Sequence, residues 1–217
     1  MDSRLHKHIE LLISRYHKLV SIEDQIISAY NVFDEAYVQD HKLLIAGNGG
    51  SAADSEHIAG ELMKRFKTPR PITKVFASKL EQIDPIRGPQ LSKNLERSLM
   101  AIPLVAHEAL STAYINDVNG YGVFAQQLFG YGRPGDVFLG ISTSGNSANV
   151  MNAAVVARAL DIKVVGLTGE DGGELGRFAD VAVKVPESET YMIQELHLPI
   201  YHCWCLMLED RFFGGDE

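Results

Sequence analysis

The hydrophobic pattern divides the chain into a helical beginning and a strand-rich remainder. Apolar residues recur at helical spacing through residues 3–40, starting at Leu5, Ile9 and Leu12, and neither Gly nor Pro interrupts them. This spacing predicts one long or two consecutive amphipathic helices. Five short apolar runs of strand length follow. They cover residues 42–47, 102–106, 137–141, 164–168 and 181–185.

Helical patterns separate these runs and close the chain, over residues 51–66, 148–160 and 191–212. Strands that alternate with helices at this pace predict an α/β domain with a parallel sheet of about five strands, covered by helices on both faces. We therefore expect one domain over 41–217, preceded by oligomerising helices over 1–40. The apolar stripe of those helices needs a partner, either the domain itself or another subunit, and another subunit is favoured.

A proline-rich stretch breaks this rhythm. Residues 67–100 contain four prolines and no sustained period, which predicts an insertion over about 71–100 with partial helix near 91–99. A solvated surface loop and a lid over the site are equal alternatives for it.

Charge and cysteine content narrow the possible partners. The 217 residues include 20 Lys and Arg against 28 Asp and Glu, a net charge of −8, which argues against nucleic acid or an anionic membrane surface as partner. No apolar run approaches the roughly 20 residues that span a bilayer. The only two cysteines, Cys203 and Cys205, point apart on a helix and predict no disulfide. With no signal-like start, these features predict a cytoplasmic protein.

A hydroxyl-rich turn from strand to helix predicts a phosphate site. Four hydroxyl side chains and a glycine fall within residues 140–147 and lead into a predicted helix, whose N-terminus carries partial positive charge. One serine alone would be explained as a helix cap, but this density favours a bound phosphate. The residues are Ser142, Thr143, Ser144, Gly145 and Ser147.

A second small-residue turn follows the first strand. Gly49 and Gly50 would let a sugar approach the backbone, and Asn48 and Ser51 could bind its hydroxyls. The turn has neither the Lys-Ser/Thr ending of a nucleotide P-loop nor a complete G-x-G-x-x-G pattern. It is weak evidence by itself.

Two pairs of polar residues provide candidate chemistry. His57 and Glu61 are four residues apart, so they share one helix face and suit joint ligation of a metal or a substrate. Gln194 and His202 are eight apart, a rise of about 12 Å along a helix. That separation is poor evidence for a metal. His6, His8, His17 and His41 are interpreted as structural, and His107 is unassigned.

Taken together, these residues resemble the phosphoheptose isomerase family of the sugar isomerase (SIS) fold. The matching stretches keep the family's order and nearly its spacing after residue 42, and the H-x-x-x-E and Q-x₇-H pairs are the most specific. They are GNGGSAADSEHIAGELMKRF at 47–66, IND at 115–117, GDVFLGISTSGNSANV at 135–150, VVGLTGEDGG at 164–173 and IQELHLPIYH at 193–202.

The resemblance implies an isomerase that converts sedoheptulose 7-phosphate to D-glycero-D-manno-heptose 7-phosphate through an enediol, for bacterial heptose biosynthesis. Glu61 is then the expected base and His202 the expected acid, because this chemistry needs a carboxylate and an imidazole near neutral pH. The implied substrate contacts are Asn48, Gly49, Gly50, Ser51, Glu61, Asn116, Asp117, Ser142, Thr143, Ser144, Ser147 and Gln194.

The resemblance also implies a metal and an assembly. One zinc ion per subunit would be held by His57, Glu61, Gln194 and His202, and the protein would be a homotetramer with interfacial sites. The segment over 71–100 is longer than the family's usual connection. Two alternatives remain: a non-catalytic SIS protein that binds the replication initiator DnaA, and a SIS isomerase for another sugar phosphate.

Overall fold

The computed structural model describes residues 3–215, with side chains from Leu5 onward. Its centre is a five-stranded sheet in the order β2-β1-β3-β4-β5, and every neighbouring pair is parallel. The predicted fold class is confirmed. The strands are β1 Leu43–Gly47, β2 Ala101–Pro103, β3 Val137–Ile141, β4 Lys163–Thr168 and β5 Val181–Lys184.

Helices connect and cover the strands. The amphipathic stretch over residues 3–40 forms two α-helices separated by a 3₁₀ segment at His17–Ile22, the second of the two predicted arrangements. The α-helices are α1 Ser3–Arg15, α2 Glu23–Val38, α3 Gly50–Met63, α4 Lys74–Ile83, α5 Gly88–Asn94, α6 Glu108–Asp117, α7 Val123–Tyr131, α8 Ala148–Ala159, α9 Gly173–Phe178 and α10 Thr190–Phe213. Nowhere within 3–215 is a helix both long and apolar enough to cross a membrane.

The strand side chains divide the core into two layers, because successive residues of a strand point to opposite faces. Leu43 and Ile45 belong to the layer shared with α1, α2, α3 and α10. Leu44 and Ala46 face the layer that contains α7, α8 and α9. The third and tenth helices therefore share one face of the sheet, where they contact each other directly.

The sheet order creates a crevice beside β1. The chain leaves β1 toward β2 and then returns to place β3 on the other side, so the direction of the connections reverses between β1 and β3. Gly47 pairs with Ile141 at the carboxyl ends of these strands. In open α/β sheets this reversal is where ligands bind. It brings together the two polar turns singled out in the sequence.

The irregular stretch forms a helical hairpin of α4 and α5. These two helices pack mainly against each other, and the chain returns through a bridge between Pro71 and Glu96. The predicted helix over 91–99 is wrong in position, since α5 ends at Asn94 and α4 precedes it. Thr73 begins α4 by accepting a bond from the Phe76 amide, a local cap. The hairpin leaves large apolar side chains exposed, as at Ile83 and Ile86.

Candidate active site

Three side chains predicted to carry chemistry meet between α3 and α10. His57 Nε2 lies 3.3 Å from Glu61 Oε1 and 3.4 Å from His202 Nε2. His57 and Glu61 are one turn apart on α3, and His202 comes from α10, 145 positions later. The fold thus brings the predicted base and acid to the same imidazole within one chain.

A second layer fixes the orientation of His57. The Tyr201 hydroxyl donates to Asp54 Oδ1 at 3.1 Å and lies 3.1 Å from His57 Nδ1. A hydroxyl has one proton, so His57 Nδ1–H must be the donor to the tyrosine oxygen. The Nε2 side of the ring then faces Glu61 and His202. Burial raises the pKa of Asp54 above its ordinary value, while the bond from Tyr201 and the charge of His57 oppose the rise.

The surroundings of His202 favour its neutral form. Burial lowers its pKa below the ordinary value, His57 lowers it further, and Glu61 opposes the shift. The rings of Phe66 and Tyr201 lie 5.3 and 5.0 Å from the His202 ring, centroid to centroid. Near pH 7 the imidazole is therefore uncharged and can donate or accept a hydrogen bond at the site.

Gln194 reaches the start of α3. A Cβ built on Gly50 would lie 2.5 Å from Gln194 Nε2, so glycine is what allows this approach. The amide therefore lies beside the turn that follows β1. The rise predicted between Gln194 and His202 along α10 separates these two side chains, and they approach different parts of α3.

The predicted phosphate turn, residues 142–147, is held in shape mainly by backbone hydrogen bonds. The Gly169 amide donates to the Thr143 carbonyl at 2.9 Å, and the Leu175 amide donates to the Gly145 carbonyl at 2.8 Å. Gly145 has φ +66, and a Cβ there would overlap the Gly172 carbonyl oxygen. Only glycine satisfies both conditions without strain.

The hydroxyls of this turn are not occupied as helix caps. Ser147 precedes α8 but makes no side-chain cap bond, and its Oγ lies 2.9 Å from Ser142 Oγ. Ser144 Oγ accepts from the Asn146 amide at 3.1 Å. The capping interpretation is thus wrong for Ser147. The N-terminus of α8 remains available as a positive dipole for an anion.

The two turns are joined by a pair of amides. Asn48 and Asn149 exchange two side-chain hydrogen bonds of 2.9 Å across the crevice. Gly49 has φ +57, which favours glycine, and Ser51 is buried. The predicted sugar-facing residues Asn48 and Gly50 therefore border the predicted phosphate turn.

Asn116 and Asp117 are not brought to this place. Both are exposed near the end of α6, and Asn116 Nδ2 donates to Asp117 Oδ1 at 2.8 Å. That helix packs beside the 3₁₀ turn Gly120–Gly122 and α7, in the layer opposite α3 and α10. The prediction that these residues contact the substrate stays a prediction.

The donor types, but not the assembled geometry, suit a metal ion. Within residues 3–215 no three His, Cys, Asp or Glu side chains form a group that could hold a metal. His57 Nε2 nevertheless lies 3.3 Å from Glu61 Oε1 and 3.4 Å from His202 Nε2. Two ligand atoms of a tetrahedral zinc with bonds of about 2.0–2.1 Å are separated by a similar distance. His57 Nε2 faces a carboxylate, and Tyr201 contacts the other ring nitrogen, as outer partners of metal-bound histidine do.

Sequence reasoning missed the residues that support the site. Asp54 has the same spacing signal as His57 and Glu61, at positions i, i+3 and i+7 of one helix face. Asn149 lies two residues after the predicted phosphate turn, inside the matching stretch 135–150. No sequence signal distinguishes Arg70, a fully buried arginine that donates to the Glu61 carbonyl at 3.1 Å.

Comparison with known proteins agrees with this geometry. Residues 88–169 match the SIS domain model. The phosphoheptose isomerase of Sulfurimonas denitrificans is 40% identical over 82% of this chain and 78% of its own length. That of Akkermansia muciniphila is 33% identical over 99% of this chain and all of its own.

A solved structure gives the same result. The phosphoheptose isomerase GmhA from Neisseria gonorrhoeae superposes with a TM-score of 0.70 and 32% identity, covering 93% of this chain and 96% of that one. Identities above 30% over most of both chains, together with the shared fold, decide the family. This chain is a member of the phosphoheptose isomerase family.

Proposed function

We propose that this protein is an aldose–ketose isomerase that converts sedoheptulose 7-phosphate to D-glycero-D-manno-heptose 7-phosphate for heptose biosynthesis. The meeting of Glu61, His57 and His202 between α3 and α10 carries this proposal. Membership of the phosphoheptose isomerase family supports sedoheptulose 7-phosphate as the substrate. A carboxylate and an imidazole at one sugar are the groups that an enediol reaction requires.

The proton transfers follow from the residue types. Glu61 takes the proton from the carbon beside the ketone and returns it to the former carbonyl carbon. Neutral His202 donates a hydrogen bond to the carbonyl oxygen and moves the proton between the two oxygens, as a neutral imidazole can in such reactions. Its lowered pKa favours that form. The Glu61 side chain is 14% exposed.

The remaining contacts hold the substrate. The phosphate binds Ser142, Thr143, Ser144 and Ser147 at the N-terminus of α8, and the sugar lies against Asn48, Gly49, Gly50, Ser51 and Gln194. Binding at the phosphate supplies energy that orients the reacting carbons. Asn116 and Asp117 complete the sugar contacts from a neighbouring subunit.

Zinc is the second part of the proposal. The family resemblance assigns one ion per subunit to His57, Glu61, Gln194 and His202, whose imidazole, carboxylate and amide donors suit zinc. Within this chain Gln194 lies beside Gly50, so it would have to move toward the other three residues. When bound, the ion would polarise the carbonyl and stabilise the enediolate, and it would restrict Glu61 and His202 as proton carriers. Zinc content of protein purified without chelator tests this directly: about one zinc per chain, lost in His57→Leu, is expected. No bound zinc in the unmodified protein would contradict it.

We also propose a cytoplasmic homotetramer with interfacial sites. The exposed positions of Asn116 and Asp117, away from Glu61 within one chain, support contributions from another subunit. The free thiols of Cys203 and Cys205 suit a reducing compartment. Light scattering after gel filtration should give four times the chain mass of 23.9 kDa.

Glu61→Gln tests the reaction most directly. Conversion of sedoheptulose 7-phosphate should fall by about 10²–10⁴-fold, because general base catalysis is lost. Calorimetry should show substrate affinity within a few-fold of the unmodified protein, since the phosphate contacts remain. Normal turnover by Glu61→Gln would show that the base is assigned wrongly.

The substrate assay separates the alternatives. Unmodified protein that ignores sedoheptulose 7-phosphate but converts a pentose phosphate would be a SIS isomerase for another sugar. Protein that converts neither sugar and binds DnaA would be a non-catalytic relative. Chromatographic detection of the aldose product distinguishes these outcomes.

A further inference from the structure

A buried ion pair between Arg70 and Glu209 lies next to the cluster of Glu61, His57 and His202, and the proposed proton transfers do not use it. Arg70 is 0% exposed and Glu209 is 1% exposed. Arg70 Nη2 and Nε each lie 2.9 Å from Glu209 Oε1. Burying two charges is costly even when they pair, so stability alone is a weak explanation for such a pair.

Arg70 binds the end of α3, and Glu209 binds the loop that follows it. Arg70 Nη1 donates to the Leu62 carbonyl at 2.7 Å and Nη2 donates to the Glu61 carbonyl at 3.1 Å. These carbonyls belong to the last turn of the helix, where no amide of the helix can reach them. The Glu209 carboxylate accepts three amides of the following loop. Those amides belong to Phe66, Lys67 and Thr68, at 2.8, 2.8 and 2.9 Å.

The position of Glu209 on α10 gives this arrangement its significance. His202 and Glu209 are seven residues apart, which is close to two full turns, so they lie near the same face of α10. The ion pair therefore joins the turn that carries Glu61 to the helix that carries His202. A planar guanidinium that binds two carbonyls and a carboxylate at once leaves the turn little freedom.

We propose that Arg70 and Glu209 are positioning residues for proton transfer, which hold the Glu61 turn of α3 at its working distance from His202. The inference rests on the proposed roles of Glu61 and His202. Neither positioning residue touches the substrate. Their contribution is geometric, and misplacement of about 1 Å at a reacting group can cost about 10²-fold in rate.

The variants Arg70→Met, Glu209→Gln and the double variant test this inference. Each single variant should lose about 10–100-fold in kcat with KM within about threefold, because the phosphate turn is untouched. Each also leaves one buried charge unpaired and should melt at a lower temperature. The double variant removes both charges, so its melting temperature should recover partly while kcat stays low.

Asp136→Asn provides the matched control. Asp136 is 1% exposed, pairs with Lys42 Nζ at 2.6 Å, and accepts amides from Lys42 and Arg133 at 3.1 and 2.8 Å. It lies at the amino ends of β1 and β3, opposite the crevice. Asp136→Asn should lose thermal stability but keep kcat within about twofold. An equal loss of kcat in this control would reduce the ion pair to a general structural role and overturn the inference.

Hydrogen exchange provides a readout that does not depend on turnover. In Glu209→Gln the amides of residues 66–68 should exchange faster, and those near Asp136 should not. If this protection is lost while the folded double variant keeps unmodified kcat, and Glu61→Gln is inactive, only the positioning inference fails. If Glu61→Gln turns over normally, the base assignment fails and the inference fails with it.

Discussion

The phosphate turn and the Glu61–His202 cluster are built in opposite ways. The turn takes its polar groups from a few consecutive residues, and backbone bonds such as Gly169 N to Thr143 O hold its shape. The cluster joins residues far apart in sequence, and side-chain contacts hold it, from Tyr201 behind His57 to Arg70 at the end of α3.

This difference separates the kinds of change that each region tolerates. A turn set by backbone conformation depends on glycine and accepts several hydroxyl side chains. A cluster set by side chains depends on the packing of two helices and is sensitive to residues that never touch the substrate. Binding should therefore be lost through local changes, and proton transfer also through distant ones.

Gly145→Ala should have the largest effect, because it changes the backbone conformation that shapes the phosphate turn. The substitution needs φ +66 from alanine and places a Cβ against the Gly172 carbonyl. The turn must then change shape, and kcat/KM should fall by about 10³-fold through lost phosphate binding energy. Steady-state kinetics measures this. Gly130→Ala, where nothing lies within 4 Å of the added Cβ, should leave kcat/KM nearly unchanged.

His197 connects the two regions, and its ionisation predicts an effect of pH on stability. It is fully buried on α10, and its Nε2 lies 3.3 Å from the carbonyl of Thr168, the last residue of β4. Among the described residues 3–215, its Nδ1 finds no hydrogen-bond partner. Burial lowers the pKa of His197 to about 4 from an ordinary value of 6.5.

The free energy of unfolding should fall as the pH falls, because the unfolded state binds the proton of His197 first. Above pH 6.5 the imidazole is neutral in both states, so its contribution to stability is fully present. As pH falls from 6.5 to 4 the unfolded chain is protonated first, and the free energy of unfolding should fall by about 3 kcal/mol. Urea unfolding across this range measures it. His197→Asn, which keeps a donor but does not titrate there, should have a shallower slope; an unchanged slope would contradict the assignment.

Gly50→Ala should have the smallest effect and tests the contact that the Gln194 side chain makes at the start of α3. The new Cβ would press on Gln194 Nε2 at 2.5 Å, and a flexible amide can move aside. We expect KM for the sugar phosphate to rise about three- to tenfold with the phosphate turn intact. Gly60→Ala, on the same helix with open space around it, is the control, and an equal rise there would remove the role of Gln194.

The elements that were predicted well are those with strong local signals. The apolar run before Gly47 and the hydroxyl-rich turn after Ile141 identified β1, β3 and the start of α8 within a residue or two. The hairpin of α4 and α5 was misplaced because the prolines around its two short helices were interpreted as irregular structure. The helices α6 and α7 were missed for a related reason, since short helices carry little periodicity.

By itself, the sequence determined the alternation of strands and helices, the phosphate turn and the pairing of His57 with Glu61 on one helix face. Each of these depends on neighbours within about a turn or a strand. Only the tertiary structure decided that His202 meets His57 and that Arg70 and Glu209 join their helices. Such contacts depend on the order of strands and the packing of two distant helices on one face, and no local spacing encodes them.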